Sequence, residues 1–369
     1  MNDYFATCRF GLESVLAGEL RFIGADNVSA KDARVDFSGD FALLCRANLC
    51  LRTAERVFMK IGSFKATSFE ELFQGVFALN WEDYIPKSAA FPVKGKSARS
   101  TLHSVPDCQS ITKKAIVERL RKGHSVRVLP EDGPKVIVEV GLLEDIATLA
   151  LDASGAGLNR RGYRTLNAEA PIIETLAAGL VLLSGYRGKG PFLDPMCGSG
   201  TIAIEAALIA KNRAPGMLRQ FAAEEWPFLS KRHWKAERER AQDLERHESL
   251  ENITASDIDE SVLKLARFHA NKAGVDLAFS RADVTELHRR DTGGILVCNP
   301  PYGERLSDRR TCAALYSKMG RAFAQLHDWT AVIISSHPGF EKSLGRRADK
   351  RRKIYNSGLP CQVYTYRYK

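Results

Sequence analysis

A short apolar strand that ends in an acid, passes through glycines and enters a helix constrains this sequence more than any other feature. It reads Phe192-Leu193-Asp194-Pro195-Met196-Cys197-Gly198-Ser199-Gly200-Thr201-Ile202-Ala203-Ile204. Glycines let the backbone approach a ligand closely at the carboxyl end of a strand. The helix start adds free N–H groups and the positive end of a dipole. Further strands are expected at Ile253-Thr254-Ala255, Ile295-Leu296-Val297-Cys298 and Ala331-Val332-Ile333-Ile334, alternating with helical stretches that begin with Ile173 to Leu183. This alternation predicts a mainly parallel sheet with helices on both faces, an α/β class. Two more strands with a short connection follow, Lys353-Ile354-Tyr355 and Val363-Tyr364-Thr365-Tyr366.

Three ligands suit such a turn. An ATP loop needs a lysine in the pattern G-x-x-x-x-G-K-[ST], which is absent. A nicotinamide site fits Gly198-x-Gly200-x-x-Ala203, but it also needs an acid ending the next strand about 20 residues on. Glu224 and Glu225 stand there and follow no strand. A nucleoside cofactor without a pyrophosphate remains, and S-adenosylmethionine is the common one. The turn alone is also compatible with a purely structural strand-to-helix junction.

Three further segments bear on chemistry. In Ser256-Asp257-Ile258-Asp259 an acid at a strand end can accept two ribose hydroxyls, with Asp257 the better placed; either aspartate could equally be a helix N-cap. Asp283, after a short strand at Ala278-Phe279, suits an adenine amino group or a plain surface turn. Asn299-Pro300-Pro301-Tyr302-Gly303-Glu304-Arg305 follows a buried strand. Its prolines stiffen the turn and expose a carbonyl beside the Asn299 amide oxygen. Two acceptors then converge on one amino group, and Tyr302 offers a flat face to a base. The bland reading of a Pro-Pro pair is a loop stiffener.

The front of the chain reads as a small α+β unit to about residue 60, then a second segment over 61–155. There Ser110-Ile111-Thr112 is expected to cap and start a helix. Residues 153–165 form a Gly-rich basic linker. The net charge is +10, nearly all of it after residue 150. Such an excess suits a polyanion or a merely soluble basic protein. Local clusters could meet phosphates: Lys94, Lys96, Arg99, Lys113 and Lys114 in front, and Arg160, Arg161 and Arg164 in the linker. A third, Arg346, Arg347, Lys350, Arg351, Arg352 and Lys353, is read as a grip on a polyanion near the site or as a solvated loop. The charged stretch 211–250 is expected to be a solvated helical insertion, with a role in gripping substrate as the sharper alternative. Eight scattered cysteines without a C-x-x-C pair predict reduced thiols in a cytoplasmic protein, with no disulfide framework and no metal. No run of about 18 apolar residues occurs, and the first residues carry no signal-peptide pattern, so neither a membrane nor a secreted protein is expected.

Taken together, Asp194-Pro195-x-Cys197-Gly198-Ser199-Gly200-Thr201 and Asn299-Pro300-Pro301-Tyr302 resemble the class I S-adenosylmethionine-dependent amino-methyltransferases. Leu158-Asn159-Arg160-Arg161-Gly162-Tyr163-Arg164, Ala170-Pro171-Ile172-Ile173-Glu174-Thr175-Leu176-Ala177-Ala178 and Ser256-Asp257-Ile258-Asp259 narrow the resemblance to THUMP-containing RNA methyltransferases. Within them the chain is similar to bacterial enzymes forming N2-methylguanosine in large-subunit ribosomal RNA. The resemblance implies a ferredoxin-like unit (1–60), a THUMP RNA-binding domain (61–155) and a Rossmann-like methyltransferase domain (156–369) with C-terminal antiparallel strands. It implies cofactor contacts at Asp194, Pro195, Met196, Gly198, Ser199, Gly200, Thr201 and Asn299, with ribose at Asp257 and Ile258 and adenine at Asp283 and Val284. Asn299, Pro300, Pro301 and Tyr302 would hold the target base. It also implies a monomer acting on RNA, as ribosomal RNA or a pre-ribosomal particle. Many such enzymes fuse a second methyltransferase, and a chain ending at Lys369 is expected to make one modification. An adenine-N6 methyltransferase and a non-catalytic RNA-binding protein are the alternatives.

Overall fold

The computed structural model describes residues 1–164, 172–247, 250–288, 293–303, 306–356 and 358–369, without the side chains of 306 and 307. Thr165, Ala170, Pro171, Glu304 and Arg305 of the motifs above lie outside the described residues. The front half contains β1 (Asn2–Cys8), α1 (Glu13–Phe22), β2 (Asp26–Lys31), β3 (Arg34–Gly39), α2 (Phe41–Cys50), β4 (Ala54–Lys65), α3 (Phe69–Phe77), β5 (Val93–Ala98), α4 (Val105–Gly123), β6 (Val138–Leu143) and β7 (Ile146–Asp152). Its strands form one seven-stranded sheet in the order β2-β3-β1-β4-β7-β6-β5. The long β4 pairs antiparallel with β1 near its start and with β7 over the rest. The expected division near residue 60 falls inside this strand.

Helix α4 starts five residues before Ser110. Ser104 precedes it and Pro106 sits in its first turn, where the missing N–H of proline has no partner to lose. The turn between β6 and β7 is built on Glu144 and Asp145, both at positive φ, and the Asp145 carboxylate accepts the Thr101 N–H at 2.6 Å.

The rear half contains α5 (Glu174–Leu183), β8 (Phe192–Asp194), α6 (Thr201–Ala210), α7 (Lys231–Asp243), β9 (Ile253–Asp257), α8 (Glu260–Ala273), β10 (Ala278–Arg281), β11 (Gly294–Cys298), α9 (Leu306–Phe323), β12 (Trp329–Ser335), α10 (Phe340–Leu344), β13 (Lys350–Asn356) and β14 (Leu359–Arg367). The sheet order is β10-β9-β8-β11-β12-β14-β13. β8 to β12 run parallel, and β14 and β13 close one side antiparallel. The expected α/β architecture is present, with the antiparallel tail. Among the described residues no helix is long and apolar enough to cross a membrane.

The two halves are bolted together at three places. The charged stretch 211–250 supplies the first, and here the expectation of a solvated insertion fails. Phe221, Trp226, Leu229 and Trp234 are all buried, and α7 packs on α2. Glu237 of α7 takes both forks of the Arg46 guanidinium at 2.7 and 2.8 Å. Arg219 donates to the carbonyls of Ser154, Ala156, Gly157 and Arg160, clamping the linker.

The second junction is a buried ionic cluster. Arg161 and Glu205 are 2% and 0% exposed and stand 3.6 Å apart. Tyr163 donates to Glu205 at 3.0 Å, Arg161 donates to the Leu158 and Arg52 carbonyls, and Arg52 reaches the Arg213 carbonyl at 2.9 Å. At the third, Arg352 of β13 donates to the Gly11 carbonyl at 2.8 Å and to Ser14. A Cβ on Gly11 would stand 2.3 Å from the Lys353 carbonyl, so glycine permits this backbone contact.

Candidate active site

Strand order in the rear sheet reverses between β8 and β11, and a crevice opens at the carboxyl ends of such neighbours. Register sets Leu193 beside Leu296 and Asp194 beside Ala255. Asp194, Asp257 and Asn299 therefore share one edge of the sheet.

Asp194 ends β8 fully buried, and neither carboxylate oxygen meets a partner in hydrogen-bond geometry. Burial raises its pKa well above the ordinary carboxylate range. The Asp257 charge adds to the rise, and the nearby backbone N–H groups of Met196 and Ala203 oppose it. The glycine turn is pinned from the neighbouring strand and helix. Gly198 N–H donates to Asp257 Oδ2 at 2.9 Å, and His269 of α8, 0% exposed, meets the Ser199 carbonyl through Nδ1 at 3.2 Å. Gly200, at φ +84°, flanks α6; a Cβ there would press on Ala266 at 3.0 Å. Gly198 faces open space where its Cβ would stand. Pro195, Ser199 and Thr201 are buried and Met196 is half-buried, so the turn presents mainly backbone.

The second acidic segment divides its roles. Asp259 is the N-cap of α8, accepting the Ser261 N–H at 2.8 Å. Asp257 instead holds the turn with Oδ2 and accepts the Asp259 N–H with Oδ1. Each oxygen keeps a lone pair for a hydroxyl. Ile258 beside it is an exposed apolar side chain. Asp283 accepts the Thr285 N–H at 2.8 Å, a bond that holds its carboxyl below the usual range. Val284 is core, packed with Leu193 and Leu296.

These residues fit S-adenosylmethionine, whose ammonium and sulfonium are cations. An orphaned buried carboxylate, an acid with free lone pairs at the next strand end and an open glycine turn suit those charges and a close approach.

At the end of β11, Asn299 is half-buried, Pro300 buried and Pro301 exposed. The Tyr302 hydroxyl donates to Asn299 Oδ1, and burial raises the Tyr302 pKa far above its ordinary value. Gly303 takes φ +68°, and a Cβ there would stand 2.8 Å from the Arg309 backbone, so α9 can pass close behind the turn. Sequence reasoning missed Tyr316, fully buried on α9. Its hydroxyl donates to the Pro301 carbonyl and lies 3.5 Å from Ser335 Oγ. The signal was a tyrosine in the stripe Cys312, Tyr316, Met319, Phe323, since a buried hydroxyl requires a partner.

The basic residues separate. Arg161 is corrected outright: it is buried in the ionic cluster and unavailable to phosphate. Arg164 is 17% exposed, paired with Glu174 at 3.2 Å and bonded to the Ile172 carbonyl. Arg160 is exposed. In the front half Lys113 of α4 pairs with Glu131 and sits over the Phe91 ring. Lys96 pairs with Glu139 at 2.6 Å, Arg99 with Glu144 at 3.0 Å, and Lys94 stands 3.9 Å from Asp152. Lys114 is exposed, near Phe73. Exposed ion pairs of this kind are weak and open readily to a polyanion.

Comparison with known proteins agrees with this geometry. An RMKL-like methyltransferase domain matches residues 161–365, an RlmL ferredoxin-like domain residues 3–58 and a THUMP domain residues 66–152. YpsC of Bacillus subtilis (strain 168), provisionally named an RNA methyltransferase, is 43% identical over 98% of this chain and 94% of its own. A Listeria monocytogenes protein described as an N6-adenine-specific DNA methylase superposes with TM-score 0.94 at 43% identity, over 100% of this chain and 96% of its own. SMU.472, described as a methyltransferase and solved with SAH, gives TM-score 0.93 at 41% identity over 100% and 98%. The chain thus belongs to the RMKL-like methyltransferases, with ferredoxin-like and THUMP domains ahead of the catalytic one.

Proposed function

We propose that the protein methylates the exocyclic N2 amine of a guanosine in RNA, with large-subunit ribosomal RNA, free or in a pre-ribosomal particle, as substrate. The broader activity is that of its family, S-adenosylmethionine-dependent methylation of RNA. One observation carries the reading: Asn299-Pro300-Pro301-Tyr302 stands at the end of β11, across the switch point from Asp194, in a chain fronted by a THUMP domain. The Listeria relative's description favours a second reading, an adenine N6 amine. Incubation with labelled cofactor and RNA, then digestion to nucleosides, separates them. N2-methylguanosine is expected; N6-methyladenosine overturns the proposal. Mass mapping of ribosomal RNA from a deletion strain identifies the nucleotide.

The cofactor supplies an electrophilic methyl group. Asn299 Oδ1 and the Pro300 carbonyl would accept hydrogen bonds from the amine's two N–H groups and turn its lone pair toward that methyl, in line. As the N–C bond forms and the S–C bond breaks to leave a neutral thioether, one N–H proton would pass to solvent. Tyr302 stacks on the base, and its hydroxyl yields Asn299 Oδ1 to the incoming amine. Tyr316 fixes the Pro301 carbonyl and so the pitch of the turn. The base leaves any helix to enter, so a single-stranded or extruded nucleotide is the substrate.

Two predictions follow from the site. Asp257→Ala removes the ribose acceptor and the anchor of Gly198 together; calorimetry should show S-adenosylmethionine binding weakened about 10- to 150-fold, the value of a charge-assisted bond of ~1.5–3 kcal/mol. No cysteine is needed as nucleophile. Burial raises the thiol pKa of both Cys197 and Cys298 far above its ordinary value, so neither thiolate forms readily. Cys197→Ser and Cys298→Ala should each keep substantial activity, and single-turnover assays should trap no covalent RNA adduct.

A further inference from the structure

The expected basic cluster near residue 350 is a strand. β13 is the outer strand of the rear sheet, and it pairs with β14, which pairs with β12. Ser335, at the carboxyl end of parallel β12, faces Gln362 near the start of β14. β13 runs opposite to β14, so its far end, Tyr355 and Asn356, lies at the same edge as Asp194 and Asn299. The Asn356 side chain lies close enough to Tyr302 to influence its hydroxyl, so the strand's end stands beside the reactive turn. From Lys350 the strand climbs about 20 Å to that edge at ~3.3 Å per residue.

Alternation puts Arg351, Lys353 and Tyr355 on one face of β13. The Lys353 ammonium stands 5.4 Å from the Tyr355 ring centroid. The front unit adds Phe10, 41% exposed, edge-on to Tyr355 at 5.9 Å. Phe10 is held there by the Gly11 contact and by Arg9, which donates to the Tyr355 carbonyl. Arg347, Lys350, Arg351 and Lys353 are exposed, and among the described residues no ion pair engages Arg347, Lys350 or Lys353. The acids nearby are occupied: Glu341 by Arg351 and the Ala348 N–H, Glu13 by the Gly11 and Ala33 N–H groups.

We infer that β13, with Phe10 and Tyr355, is a track for the single-stranded RNA flanking the target nucleotide. Its cations meet phosphates, and the aromatic pair stacks an unpaired base beside the reactive turn. Cations along a path joined to aromatic faces are the means by which single strands are held without sequence reading. This surface exists because the two halves meet there, each supplying one ring. The inference rests on the reading that RNA is the substrate.

The test uses the full-length protein, labelled S-adenosylmethionine and protein-free large-subunit ribosomal RNA from a deletion strain. Lys353→Gln should raise the RNA KM and flatten its salt dependence by ~0.7–1 in log–log slope. Phe10→Ser should raise KM with no change in slope. In both variants kcat at saturating RNA and cofactor affinity should stay near wild type. RNA methylation with unchanged KM and slope would overturn the track and leave the substrate reading standing. Wild-type protein that methylates DNA and no RNA would overturn both.

Discussion

Asn299→Ala should lower single-turnover methyl transfer about 100-fold or more while S-adenosylmethionine affinity moves only a few-fold. The amine's lone pair is conjugated with the base ring, and it attacks only when the protons are held away from the ring plane. Losing one of two acceptors removes that orientation, and misplacing a reacting atom by about 1 Å costs on this order. On the proposed reading, cofactor binding rests mainly on Asp194, the glycine turn and Asp257, and the contact expected of Asn299 adds little to it. The contrast with Asp257→Ala, which acts first on affinity, makes the two roles separable. Full activity in Asn299→Ala would remove this residue from the mechanism. Tyr316→Phe should follow the same pattern more weakly, since it frees the Pro301 carbonyl without touching substrate.

Arg161→Met should destabilise the protein by about 3–5 kcal/mol, the usual result of leaving one partner of a buried ion pair uncompensated. Glu205 is fully buried, and Arg161 also donates to two carbonyls that would lose their partner. Denaturant unfolding measures the loss. Adding Glu205→Gln should recover much of it, because the orphaned charge is then gone. A phosphate-binding arginine would behave otherwise: its loss would weaken RNA binding, reduce the salt slope and leave stability nearly unchanged. Such an outcome would return Arg161 to the surface role that its neighbours in sequence suggest.

That arginine shows where reading the chain succeeded and where it stopped. The glycine turn and the Asn299–Tyr302 segment were legible because each is local: strand, turn and helix are consecutive, and residue types fix the backbone. Arg160 and Arg161 look alike in one dimension, and only the buried Glu205, 44 residues on, separates them. Trp234 is hidden in sequence by the charges around it, since α2, on which its helix packs, lies about 180 residues earlier. Ser110 drew the start of α4 because serine caps helices, whereas Pro106 carried the better signal. His269 and Tyr316 hold the site through carbonyls distant in sequence, a relation no spacing records.

The bolted junction between the halves has a consequence for substrate choice. Arg46–Glu237, the Arg219 clamp and the Gly11–Lys353 contact tie the methyltransferase half to the ferredoxin-like unit and the linker, and the THUMP strands continue that unit's sheet. If RNA docks on the THUMP-bearing half, such a frame would act as a caliper with set jaws. An RNA would then be accepted when the gap between its docking element and its unpaired target equals the gap built into the protein, and fidelity would become a matter of measured length.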